Sequence, residues 1–168
     1  MSNGYFDQSI TGFSQSLRNL SAILDLAKTH AETHNFDLGN LLSARLYPDM
    51  LTCTRQVQIA TDFAKGAAAR LAGIAVPQWE DTEINAEELQ ARIRKALDFL
   101  GTFQASQFAD AATRAIELKT PVGIFNFTGQ TFLLHWAVPN FYFHYTTAYN
   151  LLRHNGVALG KFDFLGKV

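Results

Sequence analysis

The chain of 168 residues has a single cysteine, Cys53. One thiol cannot build an internal disulfide framework, and it excludes a cysteine-rich zinc site. Charge is scarce as well: Asp, Glu, Lys and Arg make up 17% of the residues, and the net charge is −1. Without a basic excess, nothing points to nucleic acid. No apolar run reaches the ~18 residues of a membrane span, and the N-terminus has no signal-peptide core. A cytoplasmic protein with no membrane partner is the expectation. Internal repeats, low-complexity stretches, a glycine-rich phosphate loop and a Gly-x-Ser-x-Gly elbow are all missing. What the chain does have is apolar side chains, 48% of the total. That is enough to exclude a disordered chain and to bury a full core in one domain over residues 1–168.

The aromatic residues are unevenly placed. Residues 121–168 hold eleven of the twenty-one but only four charged side chains, Arg153, Lys161, Asp163 and Lys167. So weakly charged a segment is either the most buried part of the fold or an interface with another chain, and a homodimer is expected.

The apolar spacing is helical over most of the length. Phe6, Ile10, Phe13, Leu17, Leu20, Leu24 and Ala27 step by four and three, one stripe of a long helix that Asn35 and Gly39 end. A second helix is expected from about Pro48 to Leu71. Pro suits a first turn, and Asp49 would sit at the positive end of the dipole. Its stripe is Met50, Val57, Ala64 and Leu71 with Cys53, Ala60 and Ala67 between them; small side chains there allow close helix approach. Asn85 and Glu88 form a capping-box pattern ahead of Leu89, Ile93, Ala96, Leu100 and Phe103. Residues 111–128 lose this period, and Pro121 and Gly123 between short apolar pairs suggest a hairpin. Thr128 is placed to cap a short turn through Leu134. Pro139 is expected to start the last helix and Gly156 to stop it. Phe162, Phe164 and Leu165 are expected to dock a tail running from Lys161 to Val168. The sum is an all-α four-helix bundle, with a short hairpin or irregular excursion before its last helix.

Five histidines are the main candidates for chemistry. His30 and His34 share a helix face, where two imidazoles can hold zinc or nickel, though two solvated rings at a helix C-terminus are the simpler reading. His144 lies mid-helix among Phe141, Tyr145, Ala148 and Leu152, with Asn140 one turn earlier. It is either one side of a metal site or a core histidine bonded to Asn140 or to a tyrosine hydroxyl. His135 reads as a loop residue and His154 as a last-turn histidine. Cys53, on an apolar stripe, reads as inert packing. Glu80, Asp81 and Glu83 read as solvated loop acids.

Arg45-Leu-Tyr-Pro-Asp-Met50, Pro139-Asn-Phe-Tyr-Phe-His144, Leu152-Arg-His-Asn-Gly156 and Gly160-Lys-Phe-Asp-Phe-Leu-Gly166 together resemble an uncharacterised bacterial family. It is grouped with the DinB/YfiT-like helical bundles. The resemblance spans nearly the whole chain and implies an up-down four-helix bundle, often dimeric. It also implies a divalent metal held by three histidines, one on the second helix and two spaced four apart on the last. Some such proteins transfer a low-molecular-weight thiol. Set against that pattern, His144 falls on the second of the paired histidines and Asn140 on the first. The second helix has no histidine; Gln56 or Gln58 stands in that region, and Gln56 lies nearer the apolar stripe. One imidazole and two amides make a poor zinc or nickel site. The expected protein is a small-ligand-binding or stress-related accessory homodimer with a degenerate metal site, its pocket at Gln56, Asn140 and His144. No tight cofactor is expected, at most a weakly held divalent ion. The alternative is a divalent-metal-dependent transferase acting on a thiol or small electrophile, with His135 or Asp62 completing the ligands.

Overall fold

Apolar residues three and four apart can only be buried together on a helix, and four long helices carry most of the core. The computed structural model describes residues 4–166. Its first helical stretch is continuous through α1 (Gly4–Phe6), a π-helical turn (Asp7–Thr11) and α2 (Gly12–Thr33). Phe13, Leu17, Leu20, Leu24 and Ala27 are all buried on the expected stripe. After the short α3 (Gly39–Leu42) come α4 (Cys53–Ala72) and α5 (Ala86–Gly101). Then follow a 3-10 turn (Ala105–Phe108), the strands β1 (Ala115–Thr120) and β2 (Gly123–Thr128), and α6 (Gly129–Phe132). A π-helical turn (Leu133–Ala137) leads into α7 (Val138–His154), and α8 (Lys161–Leu165) closes the described chain.

The second helix starts later than its proline suggests. Thr52 is the N-cap of α4, its Oγ1 accepting the amide hydrogen of Arg55 at 3.3 Å. Pro48 and Asp49 lie in a turn closed by Met50 N on Tyr47 O, so neither belongs to the helix. A hydroxyl cap that satisfies a free amide decides the start over a proline that satisfies none. At α5 the Asn85 cap is as expected, but Glu88 accepts from the amide of Ile84 rather than closing back on Asn85. Gly73, at φ 75°, ends α4 in the left-handed conformation that suits glycine.

The four long helices pack in a cycle: α2 on α5, α5 on α4, α4 on α7, and α7 on α2. Helices α2 and α4 are therefore diagonal. Sequence neighbours α4 and α5 lie side by side despite their long connection.

The hairpin is real. β1 and β2 pair antiparallel, with Ile116 opposite Phe127, Leu118 opposite Phe125 and Thr120 opposite Gly123. Ile116 and Leu118 are buried while Ile124 stays exposed. The chain is thus mostly helical with a small two-stranded sheet. Thr128 caps α6 in a reciprocal box with Thr131. Pro139 does not begin a separate helix: the π turn carries the chain straight into α7. The proline sits in its first turn, where its missing amide hydrogen costs little. His135 accordingly lies on that turn rather than in a loop.

At the tail, Phe164 stacks on Tyr145 with centroids 4.2 Å apart. Its carbonyl accepts from Tyr145 Oη at 2.7 Å and from Asn19 Nδ2 at 3.0 Å. Phe162 and Leu165 do not dock; they are 76% and 45% exposed. Phe162 and Leu165, three apart, share one face of the turn, and Phe164 lies on the other. Lys167 and Val168 lie outside the described residues.

Gly129 opens α6 against the chain end of the preceding loop, where Gln130 N donates to Ala112 O at 3.0 Å. A Cβ on Gly129 would run into the carbonyl oxygen of Ala111, which is backbone and cannot turn away. Gly129→Ala is expected to cost about 1–3 kcal/mol. A urea midpoint unchanged by this substitution would contradict that packing.

Candidate functional site

The one imidazole on the inner face of α7 meets an amide from α4. His144 Nδ1 lies 2.7 Å from Gln56 Oε1, and Gln56 Nε2 donates to Leu51 O at 3.4 Å. With the amide nitrogen spent on that carbonyl, Oε1 is the acceptor and His144 Nδ1 carries the hydrogen. Its Nε2 then keeps a free lone pair. Phe63 stacks beside the ring at 5.8 Å and 16°, and Phe143 meets it edge-on at 5.1 Å. Gln56 is buried and His144 half-buried.

Asn140 is not part of this pair. Its Nδ2 donates to Trp136 O at 2.7 Å, one turn back on its own helix. The partner of His144 is therefore Gln56, across the helix interface, and neither Asn140 nor a tyrosine hydroxyl. Gln58 faces the other way, accepting from Arg55 at 2.7 Å and donating to Glu83 at 2.8 Å. Two residues along a helix turn through about 200°, so Gln56 and Gln58 cannot share a face.

Burial pushes the His144 pKa from 6.5 down to about 4, and the positive charge of Arg55 pushes in the same direction. The ring is neutral at physiological pH. Between pH 6.5 and 4 the unfolded chain takes up a proton that the folded ring refuses. The stability His144 contributes is full above that window and lost as pH falls through it. A proton NMR titration is expected to show one histidine changing state near pH 4; titration of His144 near 6.5 would refute its burial.

The remaining histidines are not gathered with it. His30 and His34 have ring centroids 4.1 Å apart, tilted at 38°, and His34 Nδ1 is 2.8 Å from His30 O. His135 and His154 are exposed. Cys53 is fully buried at the first position of α4, and burial pushes its thiol up to about 12, so it is not a nucleophile. Among the described residues no group of three or more His, Cys, Asp or Glu side chains is placed to hold a metal ion. The amide set does not fit the metal that the family resemblance implies. Gln56 Oε1 is taken by His144, Asn140 is bonded to its own backbone, and neutral oxygens neither match zinc or nickel nor balance the charge of the ion.

Two acids expected to be solvated, Asp81 and Glu83, pair instead with the buried Arg92. Arg92, its side chain 2% exposed, places Nη1 3.1 Å from both carboxylate oxygens of Glu83 and 3.0 Å from Glu80 O. Its Nη2 lies 2.8 Å from Asp81 Oδ1 and 3.1 Å from Asp62 Oδ1, and Nε donates to Thr61 Oγ1 at 2.8 Å. Lys65 pairs with Asp62 at 2.7 Å, and its ammonium lies 4.3 Å from the centre of the Trp79 ring. Arg55 pairs with Asp81 at 2.6 Å. Burial raises the Asp81 pKa, but the hydrogen bond from Arg55 and the charge of Arg92 outweigh it and hold the carboxyl below its usual range. Of the three loop acids, Glu80 and Asp81 stay exposed and Glu83 is half-buried. The network ties the loop ahead of α5 onto α4. Its signal in the sequence is Arg92 itself, which stands three residues after Leu89 and four before Ala96, on a stripe otherwise apolar.

A family model for a domain of unknown function, DUF1993, matches residues 5–165. A crystal structure of a DinB family member protein from Shewanella denitrificans, at 1.83 Å resolution, superposes with a TM-score of 0.91. The two sequences are 43% identical, over 97% of this chain and 92% of that one. No curated protein matches the chain.

Proposed function

We propose that this chain, which belongs to the uncharacterised, DinB-like DUF1993 family, is a small-ligand-binding or stress-related accessory protein that works without a resident catalytic metal. In this reading it is a homodimer built on a DinB-type four-helix bundle, acting in the cytoplasm, with its binding corner at Gln56, Asn140 and His144. The Gln56–His144 hydrogen bond carries the reading. It occupies the place where the family resemblance implies metal ligands, and it takes up His144 Nδ1 and the Gln56 oxygen. What remains is a neutral imidazole whose Nε2 can accept a hydrogen bond, beside the aromatic faces of Phe63 and Phe143. That suits a small neutral ligand bearing a hydroxyl or amide hydrogen. The dimer is supported by exposed aromatics on the last third of the chain: Phe143, Tyr142 and Phe162 are 57%, 37% and 76% exposed. No helix among the described residues is long and apolar enough to cross a membrane.

A fragment screen read by 1H–15N correlation spectra tests the corner. Hits are expected to shift the amides flanking Gln56 and His144 and to be lost in His144→Ala. A screen with no hit there removes the binding reading. Sedimentation velocity at micromolar concentration is expected to give the dimer mass; a monomer would remove the homodimer.

The second reading is a divalent-metal-dependent transferase acting on a low-molecular-weight thiol or small electrophile. The free Nε2 of His144 favours it. The further ligands it needs are not at hand: Asp62 is held by Lys65 and Arg92, and His135 is exposed on the π turn. Full turnover in His144→Ala would end it.

A further inference from the structure

The hairpin folds back over α4 and leaves a groove of about 240 Å³, beyond the Gln56–His144 corner. Phe63 and Arg70 of α4, Leu118 and Lys119 of β1, Phe132 of α6 and Trp136 of the π turn line it. Leu118 and Phe132 are buried, so the floor is apolar. Trp136 is held in place by Phe125 and Phe127, with ring centroids 5.2 and 5.8 Å away.

Arg70 is the unusual member. It is half-buried in the last turn of α4, and among the described residues its guanidinium makes no ion pair and no hydrogen bond. The acid in the same groove, Asp62, does not balance it, because Lys65 at 2.7 Å and Arg92 at 3.1 Å already hold that carboxylate. Lys119 adds a second cation at the rim, with only the exposed Glu117 near it, at 3.5 Å. Burial works against the charge on Arg70, so an arriving anion would relieve an existing cost. The guanidinium lies over Gly66, one turn earlier: a Cβ there would stand 2.5 Å from Arg70 Nη1. Glycine weakens a helix interior, and here its bare backbone is what leaves room for the Nη1 end of the guanidinium.

A planar cation beside flat apolar walls matches one ligand chemistry. A carboxylate can take two parallel hydrogen bonds from the guanidinium fork, and an aromatic ring can fill the space between Phe63 and Trp136. Inorganic anions would leave the apolar floor unused. The volume lies below the ~300 Å³ usual for larger ligands, which limits the body to about one ring. We propose that this groove is a binding site for a small aromatic carboxylate, with Arg70 holding the carboxylate and Phe63, Phe132 and Trp136 enclosing the ring. The site does not depend on the Gln56–His144 corner, with which it shares only the Phe63 ring.

The test uses benzoate as the probe, with benzamide and acetate as controls, followed through the indole N–H of Trp136 in 1H–15N spectra. Benzoate is expected to shift that signal saturably and to bind at least about tenfold more tightly than either control, since each lacks one of the two contacts. Arg70→Gln is expected to weaken benzoate about tenfold with the spectrum otherwise folded. Gly66→Ala is the second variant: its methyl displaces the guanidinium and meets no other residue within 4 Å. It should weaken benzoate in the same direction. Benzoate binding no tighter than benzamide or acetate would overturn the proposal. So would unchanged affinity in a folded Arg70→Gln protein.

Discussion

Gln56→His combined with Asn140→His is expected to bind zinc with a submicromolar Kd, far more tightly than the wild-type chain does in the proposed reading. The reasoning is local. Gln56 Oε1 already lies 2.7 Å from the ring of His144, so an imidazole at position 56 arrives within reach of a shared ion. Position 140 is one turn before 144 on α7, and two histidines four apart on a helix present both rings to one side. Three imidazoles are a sufficient protein set for zinc, leaving a fourth position open. The single variants should bind far more weakly than the double, because two imidazoles do not complete the set. Calorimetric titration of zinc into tag-free protein checks this. If the wild type and the double variant bind zinc alike, the two amides are not what removes the site.

Arg92→Ala is expected to be the most destabilising single change in the ionic network. It strips three carboxylates, Asp62, Asp81 and Glu83, of their shared partner and leaves the hydroxyl of the buried Thr61 without its donor. Removing one partner from a buried ion pair costs about 3–5 kcal/mol. For a chain of this size each kcal/mol lowers Tm by about 2–4 °C, so a fall of about 10 °C is expected. Arg55→Ala should cost much less, because its side chain is 39% exposed and its pair with Asp81 lies near solvent. Thermal melts followed by circular dichroism separate the two. Equal melting points for Arg92→Ala and Arg55→Ala would mean the loop ahead of α5 is not held by Arg92.

Much of this fold is legible in the sequence because its signals are local. The stripes from Phe13 to Ala27 and from Leu89 to Leu100 each follow from one helix burying one face. The hairpin follows from Pro121 and Gly123, and the α6 cap from Thr128. The start of α4 is harder, since Pro48 and Thr52 both signal a helix start and only the cap hydrogen bond separates them. The diagonal placement of α2 and α4 is a matter of tertiary packing, which no spacing records. At the candidate site, His144 and Gln56 were identifiable as a pair only through the family resemblance, as they stand 88 residues apart. Asn140 shares the histidine's helix face but satisfies its own backbone instead. The acids at 81 and 83 look solvated until Arg92 is seen beneath them. The Arg70 groove cannot be read from the chain at all, because β1 and the π turn supply two of its walls.

Elemental analysis of tag-free wild-type protein is the most direct test of the central claim that amides have replaced the metal ligands. It should be made as purified and again after dialysis against zinc, nickel, manganese and iron in turn. The predicted result is metal far below one ion per chain in every sample, with the Gln56→His, Asn140→His protein retaining zinc under the same treatment. About one ion per chain in the wild type would contradict the account and return His144 to the role of a ligand.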